Sequence, residues 1–279
     1  MDYSVNGSDI LLHQPDFDLD ETLDCGQAFR WVRTAPDTYE GYYLNSFLRI
    51  SAENKADGVF RLHNTSEREL LDKWYDYLDL STDYGELKRR FSQDETLAKA
   101  CAFAGGIRIL RQDSWEALSS FIISQNNNIP RIKSLVGAVC RNYGEKFEYG
   151  GREYYAFPTP EALLSAGEDG LKALKTGFRA SYLISAAEHV RDGMDLQRIR
   201  DEYTYEQGLE ELCKIRGVGP KVASCTLLFA LGKTDAFPID VWIKKTIDKY
   251  FGGSLDVSSL GKYAGVAQQY LFYYERSLQ

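Results

Sequence analysis

Aromatic, aliphatic and polar residues alternate along FRWVRTAPDTYEGYYLNSFLRIS (29–51). A period of two predicts β-strands, and Ala35-Pro36-Asp37 predicts a turn between two of them. Further strands are expected near 46–51 and 58–63, so the first 65 residues read as β structure. The period changes near residue 66. SERELLDKWYDYL opens with Ser66 and carries Glu69 three residues on, the signature of a capping box. DSWEALSSFIISQ (113–125) opens in the same way, Asp113 with Glu116. From 85 to 279 nearly every stretch reads as helix with short connectors. Three consecutive asparagines, 126–128, are unfavourable inside a helix and predict a turn after SFIIS. Strands followed by helices predict an α+β fold. We expect an antiparallel twisted β-sheet domain with flanking helices over 1–95 and a helical body over 96–279.

One helix of that body is not explained by packing alone. KVASCTLLFAL (221–231) is apolar almost all round, as core helices are, yet it opens with a lysine. A charged amine there is costly unless it reaches water, a partner or a substrate. YEQGLEELCKI precedes it as a helix, so 205–231 reads as helix, Gly-rich turn, helix. Gly217 and Gly219 permit positive φ and close backbone approach. Pro220 suits the first helical position, and the turn amides at a helix N-terminus suit a phosphate. The same pattern also fits a plain αα-hairpin. At Lys221 the helix macrodipole and partial burial both favour the neutral amine. A neutral amine is a nucleophile, and its attack on a sugar C1′ or a carbonyl gives an imine. A lysine snorkelling to solvent is the alternative. Nineteen residues on, TDAFPIDVWIKK places Asp240 after a Pro-containing loop, at a helix start. Such an Asp is either a helix cap or a carboxylate able to stabilise an oxocarbenium-like sugar and shuttle protons.

Hydrophobic residues make up 44% of the 279, enough for a full core, and no run of about 18 apolar residues suggests a membrane span. MDYSVNGSDILL resembles neither a secretory signal nor an Arg-rich transit peptide. Five cysteines (25, 101, 140, 213, 225) are scattered, with no CxxC pair. That spacing suggests a reducing, cytoplasmic compartment without an iron–sulfur cluster or structural zinc. A net charge of −8 argues against a nucleic-acid partner until its distribution is considered. Residues 1–95 carry 10 Lys+Arg against 20 Asp+Glu, whereas 211–250 carry 7 against 4. The acidity lies in the first third, and the segment around Lys221 is locally basic, which permits a DNA partner.

The helix–GVG–helix hairpin with Lys221, followed by Asp240 in a Pro-x-Asp context, resembles the helix–hairpin–helix superfamily of DNA base-excision glycosylases. The lysine implies the bifunctional type, glycosylase plus lyase. CGQAFRW (25–31), LRQDSWEALSSFIISQNNNIPRI (110–132), GFRASY (177–182), LCKIRGVGPKVASC (212–225) and AGVAQQYLF (264–272) together resemble 8-oxoguanine DNA glycosylases, in the family's order and over nearly the whole chain. The resemblance implies a helical body of two subdomains and, since the chain is compact and without long tails, a bacterial-type member.

It also implies roles. Oxidation at C8 turns guanine N7 from an acceptor into an N–H donor, so recognition needs an acceptor. The family uses the carbonyl of the glycine matching Gly26, otherwise a strand-end glycine. Cys225 and Phe272 match the residues packing on the two faces of the extruded base, and Gln268 the amide that meets its Watson–Crick edge. From the residues alone, Cys225 and Phe272 read as core. Asn126 matches the residue that fills the gap left by base extrusion. Arg131 and Arg179 match the pair that donates to the orphan cytosine, although either could be surface charge or a phosphate contact. Phe178 matches a wedge position where eukaryotic members have Tyr. The carbonyls of Cys213, Ile215 and Val218 match those that hold a structural cation bridging to a DNA phosphate. Trp242 departs from the pattern, since animal members have His there, which puts a His–phosphate contact in doubt.

The expectation is an enzyme that acts as a monomer on duplex DNA containing 8-oxoguanine, preferably opposite cytosine, in the cytoplasm at the nucleoid. Lys221 would attack C1′, Asp240 would stabilise the developing charge, and the imine would undergo β-elimination. No redox or organic cofactor is required. The rivals are a glycosylase for another damaged purine and a non-catalytic helix–hairpin–helix DNA-binding protein.

Overall fold

The alternation in the N-terminal segment becomes a six-stranded antiparallel sheet. In the computed structural model, which describes residues 2–278, the strands are β1 (Asp2–Asn6), β2 (Asp9–His13), β3 (Val32–Ala35), β4 (Thr38–Tyr43), β5 (Ser46–Asn54) and β6 (Val59–His63). Their order is β1-β2-β6-β5-β4-β3. The register pairs Ile10 with Leu62, Leu12 with Phe60 and Ile50 with Leu62, so one face is a continuous buried apolar layer. The turn after Ala35 is present, with Asp37 in the left-handed region at φ 53°.

The segment is not strand throughout, as the alternation predicts. Leu19–Leu23 forms a short helix because Asp18 caps it, its carboxylate accepting from the Asp20 and Glu21 amides at 2.8 and 3.1 Å. Both predicted caps further on form. Ser66 and Glu69 close a capping box, and the Asp113 carboxylate accepts from the Glu116 amide at 2.8 Å to start the helix Ser114–Ser124. The helical expectation from 85 to 279 fails at one place. Lys146–Tyr149 (β7) and Arg152–Tyr155 (β8) pair as a hairpin around Gly150 and Gly151, both at positive φ. Phe147, Tyr149 and Tyr154 pack with Tyr42 and Phe47, and this aromatic contact outweighs the surrounding helical periodicity.

The chain divides into two compact units, and the division differs from one near residue 95. One unit comprises residues 1–41, 48–111 and 234–279, the other residues 42–47 and 112–233. The C-terminal segment joins the sheet unit because the helix Ala264–Ser277 packs there. Tyr270 is fully buried beside Phe91, and Phe103 meets Tyr273 and Tyr274. In the same unit the buried Arg108 guanidinium donates to the carbonyls of Asp16, Asp79 and Thr82 at 3.1, 2.7 and 2.9 Å. These bonds offset the cost of burying the charge and fix the 107–111 segment. Among the described residues no helix is long and apolar enough to cross a membrane.

Candidate active site

The hairpin is built as its sequence dictates. Thr204 and Gln207 close a capping box at the start of the helix Tyr205–Leu212, and Pro220 opens the helix Pro220–Phe229. Gly217 has φ 83°, and a Cβ there would overlap the ring of Tyr182. Gly219 is different from expectation: its φ is −97°, so no positive φ is needed. It is exposed, with nothing within 4 Å of an added Cβ. It leaves the outer side of the turn clear, and it provides no side chain to cap the first-turn amides. Cys213 is exposed, while Ile215 and Val218 are buried. The Ile215 carbonyl accepts from the Val218 amide at 3.0 Å.

Lys221 is half-buried at the first turn. Among the described residues its amine makes no ion pair, and its Nζ lies 5.6 Å from the centre of the Phe121 ring, which stacks on Phe229. An amine over an aromatic face, held at a helix N-terminus, has little competing with an incoming electrophile. Cys225 follows one turn later on the same side of the helix and is buried.

The asparagine run makes the predicted turn, and its three residues have three separate tasks. Asn126 is left-handed at φ 49°, and its side chain is exposed. The Asn127 amide donates to the Ile123 carbonyl at 3.2 Å, and Asn128 caps the helix Ile129–Tyr143. Arg179 is only 4% exposed and holds this turn from behind. It donates to the carbonyls of Gln125 (2.9 Å from Nε), Asn126 (3.0 Å) and Thr176 (3.2 Å), and a further bond joins its Nη2 to Gln125. Its guanidinium lies 4.5 Å from the centre of the Phe178 ring. Burial first, and the nearby Arg131 charge second, pull Arg179 below its ordinary pKa. Arg131 itself is exposed, and Phe178 is 49% exposed. Phe178 meets Tyr182 edge-on at 5.6 Å, so Tyr182 joins the hairpin turn to the Phe178–Arg179 pair.

The remaining expected residues lie in the sheet unit. Gly26 has φ 97°, a conformation that an L-residue rarely adopts. Its flanks are pinned. The Gln27 amide donates to the carbonyls of Thr22 and Arg108 at 2.9 and 2.8 Å and accepts from the Leu110 amide at 2.9 Å. Arg276 Nη1 donates to the Cys25 carbonyl at 2.9 Å. The same guanidinium lies 5.4 Å from the ring centre of Phe272, one turn after Gln268. Gln268 is buried, and its Oε1 has no hydrogen-bond partner among the described residues. A buried unpaired amide oxygen is costly, and a ligand donor would satisfy it. Asp240 caps Val241–Tyr250, Oδ1 accepting from the Trp242 and Ile243 amides at 3.0 and 2.9 Å. The cap fixes the carboxylate while Oδ2 keeps its lone pairs. Trp242 is half-buried, with Lys245 Nζ 5.8 Å from its ring centre.

The structure thus gathers Lys221, Cys225, Asn126, Arg131, Phe178 and Arg179 in one unit, and Gly26, Gln268, Phe272 and Asp240 in the other. Sequence reasoning missed Arg276, Gln27, Phe121 and Tyr182. Their roles rest on contacts between distant positions, for which the sequence carries no local signal. Among the described residues no group of three or more His, Cys, Asp or Glu could hold a metal ion.

Comparison with known proteins places the chain in a family. Residues 9–118 match the 8-oxoguanine DNA glycosylase N-terminal domain, and residues 119–256 match the HhH-GPD superfamily of base excision DNA repair proteins. The N-glycosylase/DNA lyase of Saccharomyces cerevisiae is 32% identical over 85% of this chain and 69% of its own length. Two Clostridium acetobutylicum 8-oxoguanine glycosylase/lyase structures superpose closely. The apo form is 37% identical, covers 98% of each chain and gives a TM-score of 0.91. The complex with duplex DNA containing cytosine opposite 8-oxoguanine is 36% identical, covers 100% of this chain and 99% of the other, and gives 0.90. With its N-terminal sheet, its helix–hairpin–helix body and these matches along its length, the chain belongs to the 8-oxoguanine DNA glycosylase/lyase family of the helix–hairpin–helix superfamily.

Proposed function

We propose that this protein excises 8-oxoguanine from duplex DNA and then cleaves the strand, with Lys221 as the nucleophile. The observation that carries the reading is the setting of Lys221: a half-buried amine with no acidic partner among the described residues, at the head of an otherwise buried helix. Its nitrogen attacks C1′, the N–C1′ bond forms, and the glycosidic bond breaks with the electron pair leaving on the base, which takes up a proton. Ring opening of the sugar gives the imine. Loss of a C2′ proton then expels the 3′ phosphate by β-elimination. Asp240, held by its own cap, stabilises the positive charge on the sugar and orients it.

The Gly26 carbonyl accepts the N7–H that guanine lacks. Cys225 and Phe272 stack the base, and Gln268, with its unpaired oxygen, meets the Watson–Crick edge. Asn126 fills the vacated stack and Phe178 wedges it open. Exposed Arg131 donates to the orphan cytosine, which favours cytosine as the opposite base. Arg179 assists from the turn that it braces. The turn at Gly217 and Gly219 meets a DNA phosphate with its amides. Three neutral carbonyls, of Cys213, Ile215 and Val218, fit a hard cation at that phosphate, where it would neutralise charge without entering the chemistry. The enzyme works as a monomer, in the cytoplasm at the nucleoid.

Borohydride trapping tests the proposal. A duplex carrying 8-oxoguanine opposite cytosine should give a covalent protein–DNA band with the wild type and none with Lys221→Gln. Base release by the wild type without a band would exclude the imine.

A further inference from the structure

Arg276 joins the last helix of the sheet unit to a backbone carbonyl 251 positions earlier. It sits one turn after Phe272 on the helix Ala264–Ser277, half-buried, and its guanidinium lies between two tasks. One nitrogen donates to the Cys25 carbonyl at 2.9 Å, and the guanidinium carbon lies 5.4 and 5.6 Å from the ring centres of Phe272 and Tyr273. It makes no ion pair among the described residues. The Cys25 carbonyl belongs to the peptide that leads into Gly26. At φ 97°, glycine has the freedom to rotate that peptide and swing its own carbonyl away. Gln27 holds the segment downstream of Gly26 through the carbonyls of Thr22 and Arg108. Upstream, the Cys25 thiol donates to the Thr22 carbonyl and accepts from Gln27 Nε2, both at 3.3 Å; these bonds orient a side chain, whereas Arg276 bonds the carbonyl of the 25–26 peptide itself.

We propose that Arg276 is a positioning residue for lesion specificity. It locks the Cys25–Gly26 peptide, so the Gly26 carbonyl is presented to the N–H that distinguishes 8-oxoguanine from guanine. It also covers one face of Phe272, so that only the opposite face can receive a base. The acceptor and the stacking ring are thereby referenced to one guanidinium. This rests on the reading that Gly26 and Phe272 recognise the base. A charge-assisted hydrogen bond suits the task, being stronger and more directional than a neutral one.

The test separates base recognition from strand cleavage. Arg276→Met and Arg276→Lys are assayed with the wild type on two duplexes, one with 8-oxoguanine opposite cytosine and one with a preformed abasic site. The abasic substrate has no base to read. Arg276→Met should lose about tenfold to a hundredfold in single-turnover excision of 8-oxoguanine. Abasic-site nicking should be spared, and Arg276→Lys, which keeps a charged donor, should recover part of the loss. Equal loss on both substrates would reduce Arg276 to a structural role and overturn the proposal, as would unchanged excision. Wild-type protein that nicks abasic DNA but leaves 8-oxoguanine in place would instead overturn the recognition reading beneath it.

Discussion

Two glycines of the hairpin turn differ in what they do, although the sequence presents them as a pair. Gly217 carries a positive φ and lies against the Tyr182 ring, whereas Gly219 has an ordinary φ and faces open space. Gly217→Ala should therefore cost about 2–4 kcal/mol of stability, from left-handed strain and overlap together. Gly219→Ser should leave stability within about 0.5 kcal/mol, since serine is a good N-cap. It should weaken DNA binding, because the side chain occupies the space that a phosphate would enter. Chemical denaturation and a binding titration on both variants check this, and equal behaviour would remove the distinction. At this scale the sequence was informative wherever the chemistry is local. A Gly-Pro step marks a helix start, an Asp before an apolar run marks a cap, and Lys221 and Asp240 are found where those rules put them. It was silent on Arg276, whose partner Cys25 is 251 positions away. It was also silent on how Arg179 is used, because buried and exposed arginines look alike in a string of letters.

Helix Val241–Tyr250, which carries Asp240 at its start, is tied to Ala264–Ser277, which carries Gln268 and Phe272. The tie is Glu275, 1% exposed, which meets Lys245 Nζ at 3.3 Å and Lys249 Nζ at 3.2 Å. Burial pushes the Glu275 carboxyl up, but the hydrogen bonds from Lys249 and Lys245 outweigh it and hold it below the usual carboxylate range. A depressed folded value means that the ionised form favours folding. The contribution is complete above the unfolded value of about 4.3 and is lost as pH falls through the lower folded value. Glu275→Gln should remove about 1–2 kcal/mol at neutral pH, discounted because the lysine ends stand in water, and should flatten the acid limb. Thermal melts across the acid range check it, and a variant that parallels the wild type at every pH would refute it. Helix-level structure was mostly legible, because amphipathic period and caps are local. The β7–β8 hairpin was not. Its strands hold through rings of Tyr42 and Phe47, about a hundred residues earlier, and no periodicity encodes that distance.

On the scale of the molecule, the sheet unit needs both ends of the chain. Helix Ala264–Ser277 supplies buried Val266, Tyr270 and Leu271 to a unit whose other residues are 1–41, 48–111 and 234–263. Removing residues 264–279 should abolish cooperative unfolding of that unit and expose its apolar face, read as a lost thermal transition with increased binding of a hydrophobic dye. A normal transition would show that the helix is dispensable. Composition and period reveal where strands give way to helices, near residue 66, and neither that change nor a boundary near 95 marks a compact unit. Compactness follows which surfaces are buried together, and that depends on contacts between the termini.

Chain topology has a consequence for synthesis. Residues 112–233, the bulk of the second unit, leave the ribosome as one continuous stretch, with only the short 42–47 segment made beforehand. They can condense while translation continues. The sheet unit has most of its sequence early but must wait for its final helix, roughly ten seconds or more at ordinary elongation rates. During that wait the surfaces around Phe91 and Phe103 that receive Tyr270, Tyr273 and Tyr274 have nothing to cover them. An order of birth that is the reverse of the order of completion makes the helices beside the nascent sheet the segment with most to gain from a chaperone.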